Sequence, residues 1–199
     1  MDLENLIQAV ADSLFVELEA SGRHIHVTKE QSMALFGHLL TPKRPLSQPG
    51  QFLAQERVTV IGPKGEFRDV AVLGPERSEG QVEISLTDAR TLGIDAPIRL
   101  SGDIQGTPGA ELAGARGRVR LLRGVIAAKR HIHLTPRAAE RFGVKNGETV
   151  KLKTLTERPV TFEDVSVRVS EKFAPYAHLD YDEANACGFR KGDLGRIVK

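Results

Sequence analysis

The tetrapeptide Arg-His-Ile-His occurs twice in this chain, opening "RHIHVTKEQSMALFG" at residues 23–37 and "RHIHLTPRAAERFG" at residues 130–143. Both copies continue through Thr into an apolar stretch that closes on Phe-Gly. A longer match runs from Asp69–Ile94 to Asp164–Phe189 without a gap, setting Asp69 on Asp164, Val70 on Val165, Val72 on Val167, Glu76 on Glu171, Ala89 on Ala184 and Gly93 on Gly188. In that register Arg77 lies over Lys172, and Glu83 over His178. The chain is an internal duplication, so one supersecondary plan has to account for both halves.

Each copy reads as a strand, a helix, a variable insert, a second strand and a further helix. Helix starts are marked by Thr28 with Gln31, Thr135 with Pro136 at the first helical position, Ser85 with Asp88, and Asp180 with Glu183. Gly37, Gly93, Gly143 and Gly188 close the helical runs, and short alternations such as "PIRLSG", "ETVKLKT" and "GRIVK" follow as strands. Such short units leave no room for long crossover helices, and no dinucleotide or phosphate-loop glycine pattern is present, which argues against a doubly wound parallel sheet. The expected fold is mainly β with α: two small β-barrel domains from the duplication, each capped by short helices. The expected boundaries are residues 1–20 for an N-terminal amphipathic helix and lead-in, 21–128 for the first barrel and 129–199 for the second. Residues 102–117, rich in glycine and small side chains, read as the connector between halves. The opening helix carries Leu3, Leu6, Ile7, Val10 and Leu14 on one stripe, and either covers a domain edge or docks a partner.

In a strand, residues i and i+2 share a face. His24 and His26 therefore project together while Ile25 and Val27 turn to a core, and His131 and His133 do the same against Ile132 and Leu134. The duplication adds a third residue to each pair, giving His24, His26 and Glu83 for one set and His131, His133 and His178 for the other. Two histidines with a carboxylate, or three histidines, are ligand sets of catalytic zinc, which keeps a position open for water or substrate. A lone His-x-His is more often a surface strand pair; two copies, each with an independently supplied third ligand, favour metal. His38 has no counterpart and reads as structural, Cys187 as packing, and the recurring Asp69 and Asp164 as caps or partners of arginine.

Arg77, six residues before Glu83, offers a planar guanidinium suited to a phosphate or carboxylate, and Ser85 opens a helix whose N–H groups favour an anion. Arg116, Arg118 and Arg120 alternate along one strand face with Arg123 close by. They are read either as charges guarding a solvated edge strand or as a cradle for a polyanionic cofactor.

The two Arg-His-Ile-His motifs, "QVEIS" at 81–85, "SGD" at 101–103 and "HLDYDEANACG" at 178–188 closely resemble the propanediol-utilisation-type phosphotransacylases, the phosphate propanoyltransferases, from about residue 20 onward. The resemblance implies exchange of a short acyl group, propanoyl or acetyl, between coenzyme A and inorganic phosphate, with two divalent metal ions, usually zinc. It implies His24, His26 and Glu83 around the first ion, with the coenzyme A sulfur able to take the open position. His131, His133 and His178 would surround the second, which keeps exchangeable water. Arg77 would be the catalytic residue holding phosphate, and Arg116, Arg118, Arg120 and Arg123 would meet the phosphates of coenzyme A. Attack is expected to be direct, because no activated side-chain nucleophile is visible. The expected partners are acyl-CoA and inorganic phosphate, with a second copy of the chain as a homodimer. Members packaged in bacterial microcompartments carry an amphipathic N-terminal peptide and a linker. Here the helix runs almost directly into "FVELEASGRH", so cytoplasmic residence and microcompartment contact through the helix both stand open.

Bulk properties bound the remaining classes. Apolar content of 40% and charged content of 27% are ordinary for a globular chain, and no apolar run approaches a membrane span. A net charge of +2 and an arginine run without an aromatic platform do not point to nucleic acid. The single cysteine and the absence of a signal-like leader give an intracellular reading. The rival readings are a two-metal hydrolase of thioesters or phosphoesters, and a metal-binding module without turnover.

Overall fold

The computed structural model describes residues 14–199. The amphipathic helix expected at the start of the chain falls on residues outside those described. The chain divides into two compact units, one made of Gly22–Ala128 and the other of Lys129–Lys199 together with the lead-in up to Ser21.

The Gly22–Ala128 unit begins with strand β2 (His24–His26) and helix α1 (Lys29–Phe36), then β3 (Pro42–Pro45), the long hairpin β4 (Phe52–Ile61) and β5 (Glu66–Gly74), and β6 (Gln81–Ile84). Helix α2 (Leu86–Leu92), β7 (Ile98–Arg99), β8 (Ala110–Ala113), β9 (Arg118–Leu121) and β10 (Val125–Ala128) complete it. Its nine strands form an open, curled sheet in the order β7-β10-β6-β2-β5-β4-β8-β9, with β3 on β4. The other unit takes β1 (Val16–Ser21) from the lead-in and adds β11 (His131–Leu134), helix α3 (Pro136–Phe142), β12 (Thr149–Leu155), β13 (Thr161–Val169), β14 (Tyr176–Asp180), helix α4 (Tyr181–Ala186) and β15 (Leu194–Val198). Its six strands close in the order β1-β14-β11-β13-β12-β15. The protein is thus mainly β with short helices, one copy of the plan closing into a barrel and the other remaining open.

Apolar residues on the inner faces supply a separate core to each unit. Ile25, Val27, Val72, Val82 and Leu92 anchor one, and Ile132, Leu134, Leu152, Val165 and Leu179 the other. The duplication extends to irregular features. In each long hairpin the register slips by one residue, between Val58/Val60 on β4 opposite Val70 and Phe67, and between Val150/Leu152 on β12 opposite Val165 and Phe162. The extra residue at each bulge includes an aspartate in the left-handed region, Asp69 at φ 57° and Asp164 at φ 53°. Aspartate tolerates that conformation better than most side chains. Asp69 lies 3.9 Å from Arg57, and Asp164 accepts from Lys129 at 3.0 Å. The arginine of each tetrapeptide is a fastener: Arg23 makes two hydrogen bonds to Asp88 and lies 4.1 Å over the Phe67 ring, while Arg130 bonds Glu183 and stands 5.8 Å over Phe162. Asp88 and Glu183 are at the same time the N3 partners in the capping boxes of α2 and α4. Each histidine strand is therefore tied to the start of the helix that follows the third ligand.

The stretch 102–117 is not a connector between the units. It lies within Gly22–Ala128, with β8 paired to β4 and β9. Three of its five glycines, Gly109, Gly114 and Gly117, serve close packing: a Cβ on Gly109 would stand 1.9 Å from the Leu121 carbonyl oxygen, and one on Gly114 2.4 Å from that of Leu35.

Candidate metal centres and anion site

Each candidate centre is assembled by two antiparallel strands. In the first, β2 pairs with β6 so that His24 stands directly across from Glu83; in the second, β11 pairs with β14 so that His131 stands across from His178. Side chains directly opposite one another in an antiparallel pair lie on the same face, and His26 and His133 join them two residues on. The geometry brings together His24, His26 and Glu83, and separately His131, His133 and His178, with the ligand atoms of each set within 4.8 Å of one another.

The spacings can be tested against a cation. Around a tetrahedral zinc with bonds of about 2.0–2.1 Å, neighbouring ligand atoms are about 3.3 Å apart. Glu83 Oε1 is 3.5 Å from His24 Nε2 and 3.4 Å from His26 Nε2. His133 Nδ1 is 3.2 Å from His178 Nε2. The sets therefore fit a small divalent ion by donor type and by spacing. Outer contacts support the same atoms as ligands. His24 Nδ1 is 2.8 Å from the Gly22 carbonyl and His131 Nδ1 2.8 Å from that of Lys129, so Nε2 is the ring nitrogen that each offers to its set. His26 Nδ1 lies 3.3 Å from the Leu73 carbonyl, and His178 Nδ1 3.3 Å from Glu19 Oε2. The His133 ring stacks on Phe173 at 4.1 Å.

The first centre is strongly polar although it is buried. Glu83 Oε1 accepts from the Ser101 hydroxyl at 2.7 Å and from Gln81 Nε2 at 2.6 Å. Ser101 Oγ in turn accepts from Gln81 Nε2 at 2.9 Å and from Arg77 Nη1 at 3.0 Å, and Gln81 Oε1 accepts from the Gly102 amide at 2.8 Å. Arg77 is positioned by its backbone, whose N–H donates to the Val27 carbonyl at the end of the first histidine strand. Burial works to lower the His24 pKa, but the charge and hydrogen bond of Glu83 outweigh it and the value is raised. Burial holds His26 down to about 4. Burial alone would raise Glu83, yet His24 and His26 keep it well below the usual carboxylate range. Charge and hydrogen bonding within the set therefore outweigh burial at His24 and Glu83, while burial prevails at His26.

The arginines divide. Arg77 belongs to the Glu83 network. Arg118 and Arg120 share a face of β9, whereas Arg116 precedes that strand, its N–H bonded to the Leu35 carbonyl and its side chain against Gly37. Arg118 pairs with Glu111, and Arg123 bonds Glu79 and Gln105. Arg120 and Arg123 line a groove of about 250 Å³ with Thr28, Gln31 and Leu122. His38 is exposed and lies outside both sets, its Nδ1 against the Leu39 carbonyl. Cys187 is fully buried beside the end of α4, and burial pushes its thiol up.

Gln81 and Ser101 touch Glu83, and Glu19 touches His178, contacts that the sequence does not assign. Gln81 carried a signal, since it stands two residues from Glu83 and shares its strand face. Ser101 stands in the "SGD" motif on which the resemblance rests, but its contact with Glu83, like that of Glu19 with His178, arises from folding across loops and strands.

Among known proteins, a family model described as phosphate propanoyltransferase matches residues 17–190. A Clostridioides difficile (strain 630) protein named phosphate propanoyltransferase is 51% identical over 199 residues, covering 99% of this chain and 95% of its own. An Enterococcus faecalis protein of the same name is 55% identical over 185 residues, covering 92% and 88%. One from Thermotoga maritima is 50% identical over 182 residues, covering 90% and 87%.

Proposed function

The chain belongs to the phosphate propanoyltransferase family of acyltransferases, and from that premise we propose that it exchanges a propanoyl or acetyl group between coenzyme A and inorganic phosphate, using two divalent ions, one in each ligand set. The observation that supports the reading is the convergence of Arg77 on the network around Glu83, which sets a guanidinium, a group suited to an anion, beside a metal-type donor set. Imidazole-rich donors with one carboxylate suit zinc. A cation bound there supplies Lewis-acid polarisation and a soft partner for the departing sulfur.

The chain's own residues then divide the work. Arg77 binds the attacking phosphate and offsets its charge, while Ser101 and Gln81 fix the Glu83 carboxylate and keep the guanidinium aimed at the centre. A phosphate oxygen forms the new bond to the thioester carbon, the carbon–sulfur bond breaks, and coenzyme A leaves as the thiolate. Direct attack is favoured because the lone thiol, Cys187, is buried with a raised pKa. Arg120 and Arg123, at the rim of their groove, are assigned to the phosphates of coenzyme A, with Arg116 and Arg118 as flanking charge. Among the described residues no helix is long and apolar enough to cross a membrane. We place the enzyme in the cytoplasm, either free or packaged in a microcompartment through residues 1–20, and as a homodimer.

Release of free thiol from propanoyl-CoA, with and without phosphate and again after chelation, tests the proposal. Release that needs both phosphate and metal is the expected result. Equal release without phosphate would replace it with a metal-dependent thioester hydrolase.

A further inference from the structure

The strand that leads into each histidine motif does not stay with that motif. β1 precedes His24 yet belongs to the barrel that holds His131, while β10 precedes His131 yet belongs to the sheet that holds His24. Both lead strands make the same contact in their adopted units. β1 pairs in parallel with β14, setting Glu19 beside His178; β10 pairs in parallel with β6, setting Ile126 beside Glu83. The position next to the third ligand is thus structurally equivalent in the two units and chemically opposite. Beside the carboxylate ligand stands a fully buried isoleucine, and beside the imidazole ligand a carboxylate.

The contact on the glutamate side is specific. Glu19 Oε2 is 3.3 Å from His178 Nδ1, and the other nitrogen of that ring, Nε2, is the atom that faces His133. An imidazole that donates from Nδ1 to a carboxylate keeps its lone pair on Nε2 and becomes the more basic ligand. Glu83 has no need of such a neighbour, since it brings its own charge and is oriented by Gln81 and Ser101. We propose that Glu19 is the positioning residue of the second centre, so that each centre commands one carboxylate, in contact with the ion at the first and one residue removed, behind His178, at the second. The inference rests on the reading of both ligand sets as metal sites.

Glu17 provides an internal control. It lies on the same face of β1, beside Tyr176, whose hydroxyl it hydrogen-bonds. Full-length protein stripped of metal and titrated with zinc against a chromophoric chelator gives the affinity of each centre. Glu19→Gln, which keeps an acceptor but removes the charge, should weaken one of two sites about 10-fold, and Glu19→Ala about 100-fold, leaving the other unchanged. Cobalt-loaded Glu19→Ala should show an altered visible spectrum, Glu19→Asp should recover part of the affinity, and Glu17→Gln should match the parent. In a His178→Ala background, adding Glu19→Ala should cost nothing more. Unchanged affinities and an unchanged cobalt spectrum in Glu19→Ala would overturn the proposal, as would equal weakening of both sites or a full further loss in the His178→Ala background. A parent chain that takes up no zinc would overturn the metal reading itself, and the proposal with it.

Discussion

Arg77 and Glu83 carry opposite charges into one network, and their replacements should fail in different ways. On the proposed mechanism, Arg77→Ala is expected to lower kcat/KM for phosphate by about 10²–10³ while zinc content stays at the parent level, because the lost donor would act on the reacting anion. Arg77→Lys should recover only part of that, since an ammonium cannot reproduce the planar fork; steady-state kinetics at varied phosphate with metal analysis checks both. Glu83→Gln should instead empty one centre, with a fall in affinity beyond the about 10–100-fold of outer contacts, read as one zinc per chain instead of two. The same change removes the partner that raises His24, so its pKa should fall under the burial that remains, which NMR titration of the metal-free variant would follow. At this scale the two clusters are legible in the sequence because the duplication writes each histidine pair twice and sets Glu83 against His178. The contacts of Ser101 with Glu83 and of Glu19 with His178 are not, because each arises through tertiary pairing and neither residue has a matching letter in the other copy, although Ser101 lies in the "SGD" motif.

Among the described residues the helices that follow a cap are short, from 6 to 8 residues, and depend on their caps more than on length. Asp180 caps α4 by accepting from the Glu183 amide at 2.9 Å, yet burial lifts its pKa to about 6. A carboxyl raised from 3.8 on folding holds its proton more tightly in the folded state. Its contribution is therefore fully present below about 4 and is lost as pH climbs to about 6. Asp180→Asn keeps a capping oxygen and removes the titration, so relative to the parent it should gain on the order of 1 kcal/mol above pH 6 and nothing near pH 4. Denaturant unfolding across that range measures the difference. Caps of this kind were readable in the sequence, as all four starts show. The glycines of 102–117 were misread because flexibility and close approach use the same residue; only the carbonyls facing Gly109 and Gly114 tell them apart.

For the whole molecule the exchanged lead strands matter most. Val16 and Leu18 of β1 are each 2% exposed within the core of the barrel that also contains Leu152 and Leu179. Leu18→Ala should therefore cost about 3 kcal/mol, and the loss should appear as faster hydrogen exchange in β14 and β15, the neighbours of β1, although Leu18 precedes the first histidine motif. Unchanged exchange there would deny β1 its place in the barrel. The duplication foretold two copies of one plan, but not which copy would close, since closure depends on pairing between β1 and β15, strands from opposite ends of the sequence. That arrangement also sets an order of assembly during synthesis. β1 is made before the other strands of its barrel and must wait for β14 and β15 before its hydrogen bonds are met, roughly 10–35 s at about 5–20 residues per second. Throughout that interval the nascent chain carries a strand edge without its mates, while the Gly22–Ala128 unit is complete as soon as Ala128 emerges. The folding hazard is thus concentrated in the one barrel strand made before the Gly22–Ala128 unit, and a shortage of chaperones should be felt there first.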